Sequence, residues 1–312
     1  MKATGEVMAI DRTFEAALQK AMRSLEVRAD TLNVVGSAVD DLGEFPPNDV
    51  RLWRLLDAIR CDPVVGTIEA LHSETGIDRW FLGKLFNIIR MEQRLASRPL
   101  TPHLLRQAKR MGFSDQQIAD LIPQPLLLRG EGEPEAEAAE TSVGARGARP
   151  PAATSATPAT TAAAIHDLRR AWGILPTYKM VDTCAAEFAA RTPYFYSTYE
   201  QENEAEPLPG PKAVVLGSGP IRIGQGIEFD YCSVRAAQTL REAGVRSIMV
   251  NSNPETVSTD FDMSDRLYFE PLDAESVLAI LENEAGPLPQ LLPYEERGAD
   301  ATSATPPVCL LY

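Results

Sequence analysis

The sequence is short of four things that often announce chemistry or location. Histidine occurs three times and cysteine four times in 312 residues. The cysteines, Cys61, Cys184, Cys232 and Cys309, form no C-x-x-C pair and have no histidine near them. A disulfide framework or structural zinc site needs closer spacing, so they read as reduced thiols of a cytoplasmic protein. Positive charge is also scarce: 30 Lys and Arg stand against 44 Asp and Glu, a net charge of −14. Nucleic acid and anionic membrane surfaces bind faces with a basic surplus, so neither is expected as a partner. Finally, no apolar run approaches the ~20 residues that span a bilayer. The opening MKATGEVMAIDRTFEAAL lacks the apolar core of a secretory signal. What remains, 44% hydrophobic and 24% charged, is ordinary soluble composition, long enough for two or three domains.

The N-terminal stretch predicts a short strand over Glu6–Ile10 and a helix capped by Thr13, with Phe14, Ala17, Leu18, Ala21 and Leu25 on one face. One strand and one helix cannot bury a core, so the chain is expected to begin in the middle of a larger unit. From about Pro47 to Ile122 the pattern is a bundle of short helices. Asn48 or Asp49 starts one through Arg51–Ile59, Thr67 another, and Asp78 a longer one with Leu82, Leu85 and Ile89, and Phe81, Leu85, Ile88 and Glu92, sharing faces. Thr101-Pro102 is a start signal, Gly112 a stop, and Ser114 with Gln117 fits a capping box. His72, His103 and His166 fall on helical stretches without partners and read as surface or interface positions.

Residues 123–164 change character: EGEPEAEAAE is acidic and PPAATSATPATTAAA has almost no bulky apolar side chain. Such composition buries too little to offset ordering entropy and predicts a disordered linker or insertion. Order is expected again from His166, with strand composition over Tyr194–Tyr199. From Lys212, a strand (Ala213–Leu216), the loop Gly217-Ser218-Gly219-Pro220, a helix (Phe229–Ala243), Gly244, a second strand (Ser247–Val250) and a helix capped by Asp273 predict the start of a doubly wound α/β sheet. No third strand is expected after Gly286. The glycine loop fails the G-x-G-x-x-G dinucleotide pattern, since the next glycines are Gly224 and Gly226 and Pro220 interrupts.

The longer strings are more specific. GSGPIRIGQGIEFDYCSVRAAQTLREAG followed by MVNSNPETVSTDFDMSDRLYFEPL resembles the opening of the second synthetase half of the carbamoyl-phosphate synthetase large subunit. VDTCAAEFAARTPYFYSTYE, RLWRLLDAIR and DRWFLGKLFNIIRMEQRLA resemble that subunit's oligomerisation domain, and MKATGEVMAIDRTFEAALQKAMRSLEV resembles the end of its first half. The blocks stand in family order. The resemblance implies a mixed fold: a helical bundle (the oligomerisation domain) followed by an incomplete α/β, Rossmann-like pre-ATP-grasp domain. The expected divisions are 1–45, a remnant of the first ATP-grasp half; 46–200, the helical domain with its insertion; 208–285, the partial pre-ATP-grasp domain; and 286–312, an irregular tail.

The family makes carbamoyl phosphate from bicarbonate, ATP and glutamine-derived ammonia, for arginine and pyrimidine synthesis. Carbamate crosses between halves through an internal tunnel. By resemblance, Glu6, Arg222, Gly226, Glu228 and Glu255 match positions that line or gate it. A carboxylate there can hold water or hydrogen-bond carbamate, and Arg222 can face an anion. Plain structural roles stand beside these: backbone geometry for Gly226, and caps for Glu228 and Glu255. No catalytic, cofactor or metal residue is expected here, because the family's ATP and Mg²⁺ (or Mn²⁺) bind in folds these blocks do not include. The chain is therefore expected to be inactive alone, a piece of the ligase that self-associates through its helical domain or joins complementary large-subunit pieces and the glutaminase small subunit. The alternative is a non-catalytic oligomerisation module or a relic of a truncated gene.

Overall fold

The computed structural model describes residues 6–26, 45–122, 161–221, 228–286 and 308–311. The stretch expected to be a linker lies outside them up to residue 160, as do Arg222 and Gly226.

Among the described residues six helices come before residue 123: α1 (Phe14–Ser24), α2 (Arg51–Cys61), α3 (Val65–Thr75), α4 (Arg79–Ser97), α5 (Pro102–Arg110) and α6 (Asp115–Leu121). Their start signals act largely as the sequence implies. Thr13, Asp78 and Thr101 accept from backbone amides of Ala16, Trp80 and Leu104, and Ser114 and Gln117 form the capping box. Two starts differ. Asn48 turns onto the Val50 amide and α2 begins after Val50, while α3 begins two residues before Thr67, whose hydroxyl donates to the Asp62 carbonyl instead. α7 (Ala162–Ala171) starts four residues before His166, because Thr161 caps it. Leu56, Ile59, Leu82, Ile88, Ile89, Leu95 and Leu105 are fully buried in one helical core. Truncating any one to alanine in such a core costs about 2–5 kcal/mol. The histidines are not without partners: His72 contacts the Ile77 carbonyl, His103 contacts Gln107, and His166 lies beside Asp167 and Glu282.

The α/β part extends beyond the sequence expectation. Its strands are β1 (Thr177–Met180), β2 (Tyr194–Thr198), β3 (Lys212–Leu216), β4 (Arg246–Val250), β5 (Arg266–Tyr268) and β6 (Val308–Leu311). They form one sheet in the order β1-β2-β5-β4-β3-β6, antiparallel only between β1 and β2. Thus β1 and β2, from the stretch expected to close the helical domain, are strands of this sheet. β5 and β6 supply further parallel strands where none was expected, β6 pairing with β3. α8 (Glu228–Glu242) and α9 (Ala274–Ala285) follow β3 and β5.

Alternation along the strands sorts side chains onto two faces. Val214, Ile248, Val250 and Tyr268 pack with Ile280 of α9, whereas Val215, Met249 and Leu267 pack with Ala237 of α8. Met8 and Ile10 join the second face. Their segment is not a strand; the amide of Met8 donates to the Ser252 carbonyl at 2.8 Å.

The burial of α1 departs most from expectation. The face of Phe14, Ala17, Leu18, Ala21 and Leu25 is only partly covered, and Leu25 is exposed. The deeply buried positions include Glu15, Gln19 and Lys20. The helix is wedged between the helical core and the sheet, so its polar side chains must be satisfied by partners rather than by water. Glu15 meets Lys84 and Asn87, and Gln19 donates to the Met111 carbonyl at 2.7 Å.

Candidate functional site

Two polar constellations stand out, one at the loop ends of the sheet and one where the helical core meets it. The first lies beyond β3 and β4. Asn251, completely buried, accepts from the amides of Gly219 and Asn253, each at 3.2 Å, and donates to Thr256 and Ser258. Asn253 donates to the Gly219 carbonyl at 3.3 Å and accepts from the Glu255 amide at 3.0 Å. The two asparagines thus clamp the loop after β3 to the loop after β4. Gly217 has no room for a side chain: a Cβ there would lie 2.5 Å from the Asn251 Cγ. Gly219 takes φ +63° and abuts the Glu26 carboxylate, so the end of α1 reaches the same place. Asp230, in the first turn of α8, accepts from the Ser258 amide at 3.1 Å. Among the described residues, Ser218 Oγ, Ser252 Oγ and Asp230 Oδ1 are buried without a hydrogen-bond partner.

The backbone therefore gathers the segments that carry Glu6, Glu228 and Glu255. Met8 is bonded to Ser252, and Asp230 to Ser258. The three glutamate side chains themselves are exposed among the described residues. Arg222 and Gly226 lie outside those residues. The groups left open at this site are the Ser218 and Ser252 hydroxyls, one Asp230 carboxylate oxygen and the surface carboxylates, which can hydrogen-bond a small polar species. Asn251, Asn253, Asp230 and Glu26 were not singled out from the sequence. The polar run Asn251–Thr259, lacking the apolar content of a strand or helix, is the signal that could have marked them.

The second constellation holds the helical core to the sheet. Lys20, 4% exposed, contacts Asp11 at 3.1 Å, Glu270 at 2.9 Å and the Ser197 carbonyl at 2.5 Å. Arg23 pairs with Asp273 at 3.0 Å and donates to the Gly112 carbonyl at 2.6 Å. Asp115 lies between Lys109 at 2.9 Å and Arg169 at 2.8 Å, and Lys109 also meets Glu275. The Glu275 carboxylate in turn accepts the Asp115 amide at 2.6 Å. Burial alone would raise the Asp115 carboxyl, but Lys109 and Arg169 outweigh it and hold its pKa low. Burial pushes the Tyr199 phenol up to about 12, against the pull of Lys109 beside it. Such networks fix two bodies in one arrangement, because every member must be matched.

Among the described residues no group of three or more His, Cys, Asp or Glu side chains is placed to hold a metal, and no helix is long and apolar enough to cross a membrane.

Comparison with known proteins matches two domains in sequence order. Residues 6–127 match the family described as carbamoyl-phosphate synthetase large chain, oligomerisation domain. Residues 210–291 match the carbamoyl phosphate synthase preATP-grasp domain. A carbamoyl phosphate synthase large chain of Thermomicrobium roseum is 53% identical over 290 residues, 91% of this chain. Large chains of Thermoanaerobacter pseudethanolicus and Streptomyces coelicolor are 48% and 46% identical over 91% and 92% of it. The chain spans 23% of the length of each of these relatives. With both domain families present in order, and identity of this level across nearly the whole span, the chain belongs to the carbamoyl phosphate synthase large-chain family.

Proposed function

We propose that these residues form the seam of a carbamoyl phosphate synthase large chain, joining its two synthetase halves and walling part of the passage between them. On this reading the whole enzyme makes carbamoyl phosphate from bicarbonate, ATP and glutamine-derived ammonia, for arginine and pyrimidine synthesis. ATP and Mg²⁺ or Mn²⁺ act through other parts of the large chain. The helical domain associates with a second copy or with the remaining large-chain and glutaminase parts. The observation that carries the reading is the ordered pair of domain matches.

The tunnel role of Glu6, Arg222, Gly226, Glu228 and Glu255 is part of the same proposal. It is supported by the meeting of the Glu6, Glu228 and Glu255 segments at one loop cluster. Carboxylates at that edge would become passage walls once the rest of the large chain covers them. By itself the 312-residue polypeptide should release no ADP in response to bicarbonate, since phosphoryl transfer needs placed phosphates, a metal and a nucleophile.

The test is a chimaera in which residues 6–286 replace the matching span of the Thermomicrobium roseum large chain. It should form carbamoyl phosphate. Glu255→Ala in that background should lower the carbamoyl phosphate made per ATP hydrolysed while bicarbonate-dependent hydrolysis continues. A folded chimaera that makes none refutes the seam, and unchanged coupling in the variant refutes the tunnel role.

A further inference from the structure

Between the helical core and the sheet lies a cavity of about 30 Å³. Its wall includes Lys20 and Lys109 from the helices, Tyr178 from β1, Tyr199 just after β2, and Glu270 and Glu275 from the α9 side. The charged members are already paired with one another, so the cavity has no surplus charge to draw an ion.

Its anomaly is Tyr178. The ring is 1% exposed and packs edge-on against Tyr268 at 4.9 Å, yet among the described residues its hydroxyl has no hydrogen-bond partner. Burial, with Tyr268 and Glu270 nearby, keeps that phenol protonated, so it is a standing donor. A buried hydroxyl without a partner costs about 1–3 kcal/mol. Arg169, in the ion network that includes Lys109, likewise leaves Nη1 unmatched. Apolar cavities stay dry, but polar ones that offer a water two to four partners fill, each water needing about 10–15 Å³.

We propose that this cavity is a built hydration site holding about two water molecules, one of which accepts from the Tyr178 hydroxyl and bonds onward to the Lys109–Glu275 side of the seam. The water completes the hydrogen bonding that direct contacts leave open. It acts as a bridge between the helical core and the sheet, independent of any role in carbamate passage.

A crystal structure of the full 312-residue chain, at a resolution that shows ordered solvent, should place a water within hydrogen-bond distance of Tyr178 Oη. Water-¹⁷O relaxation dispersion should count at least one fewer long-lived internal water in Tyr178→Phe than in the unchanged chain. A second pair of variants covers failure of that one to fold. Ala279→Val, at another wall position, should evict water and lower the midpoint of urea unfolding. Adding Tyr178→Phe should recover part of that loss, because no hydroxyl is then left unmatched. A dry cavity, an equal count of bound waters, or strictly additive effects of the two substitutions would overturn the proposal.

Discussion

Asp115→Ala tests whether the seam is held by its buried ions. Asp115 lies 2.9 Å from Lys109 and 2.8 Å from Arg169, and all three side chains are at most 3% exposed. Removing the carboxylate takes from Arg169 the acceptor of its Nε and leaves Lys109 with Glu275 as its carboxylate partner. Truncating one partner of a buried pair costs about 3–5 kcal/mol, far more than the pair contributes net, because an uncompensated charge stays out of water. Urea unfolding followed by tryptophan fluorescence should show that loss with an unchanged slope. The exposed Arg79–Glu69 pair, 56% and 54% exposed, is the internal control; Glu69→Ala should leave the unfolding midpoint nearly unchanged, because water screens that pair. The pH dependence has a definite sign. Because Asp115 is held below its usual pKa, its stabilisation is present above the unfolded value of about 3.9 and lost as pH falls through the folded value. The deficit of the variant should therefore be full at neutral pH and shrink only in acid. A loss below about 1 kcal/mol at pH 7, with the fold intact, would refute the reasoning.

Two further outcomes follow from the same geometry. Gly112→Ala should destabilise by about 1 kcal/mol or more, read from the same unfolding curves, because φ is +87° and a Cβ would come 2.7 Å from the Ala16 Cα. A chain ended after Glu200 should be poorly soluble in a sedimentation assay, since it strips Glu270, Asp273 and Glu275 from Lys20, Arg23 and Lys109 and bares the β2 edge that pairs with β5. A soluble, cooperatively unfolding piece of that length would show that the helical core stands alone.

The helical half was legible because its signals are local. A capping hydroxyl, a proline at the first turn and apolar positions three and four apart act within a few residues, and Thr101, Asp78 and Ser114 behaved as read. Strands β1, β5 and β6 were missed because each has only three or four residues and is stabilised by neighbours far along the chain. The buried face of α1 was misjudged for a related reason. Glu15, Gln19 and Lys20 look like a solvated face until their partners arrive from residues 84–117 and 270. The family motifs GQGIEFDY and NPETVST directed attention to this loop cluster, but its clamp was not visible in them. Nothing local says that Asn251 will fill the space that Gly217 leaves open.

The wedged position of α1 also has a consequence for synthesis. Lys20 and Arg23 find Glu270 and Asp273 at a sequence separation of 250 residues. A ribosome adding about 5–20 residues per second takes roughly 12–50 s to cover that distance. Throughout that interval Lys20 has Asp11 but not Glu270 to pair with, and Arg23 lacks the carboxylate of Asp273. It can rest against α4 through Glu15 and Lys84, but it cannot take its final seat. Final docking of α1 thus waits on residues made long after it, which leaves α1 open to a chaperone during those seconds.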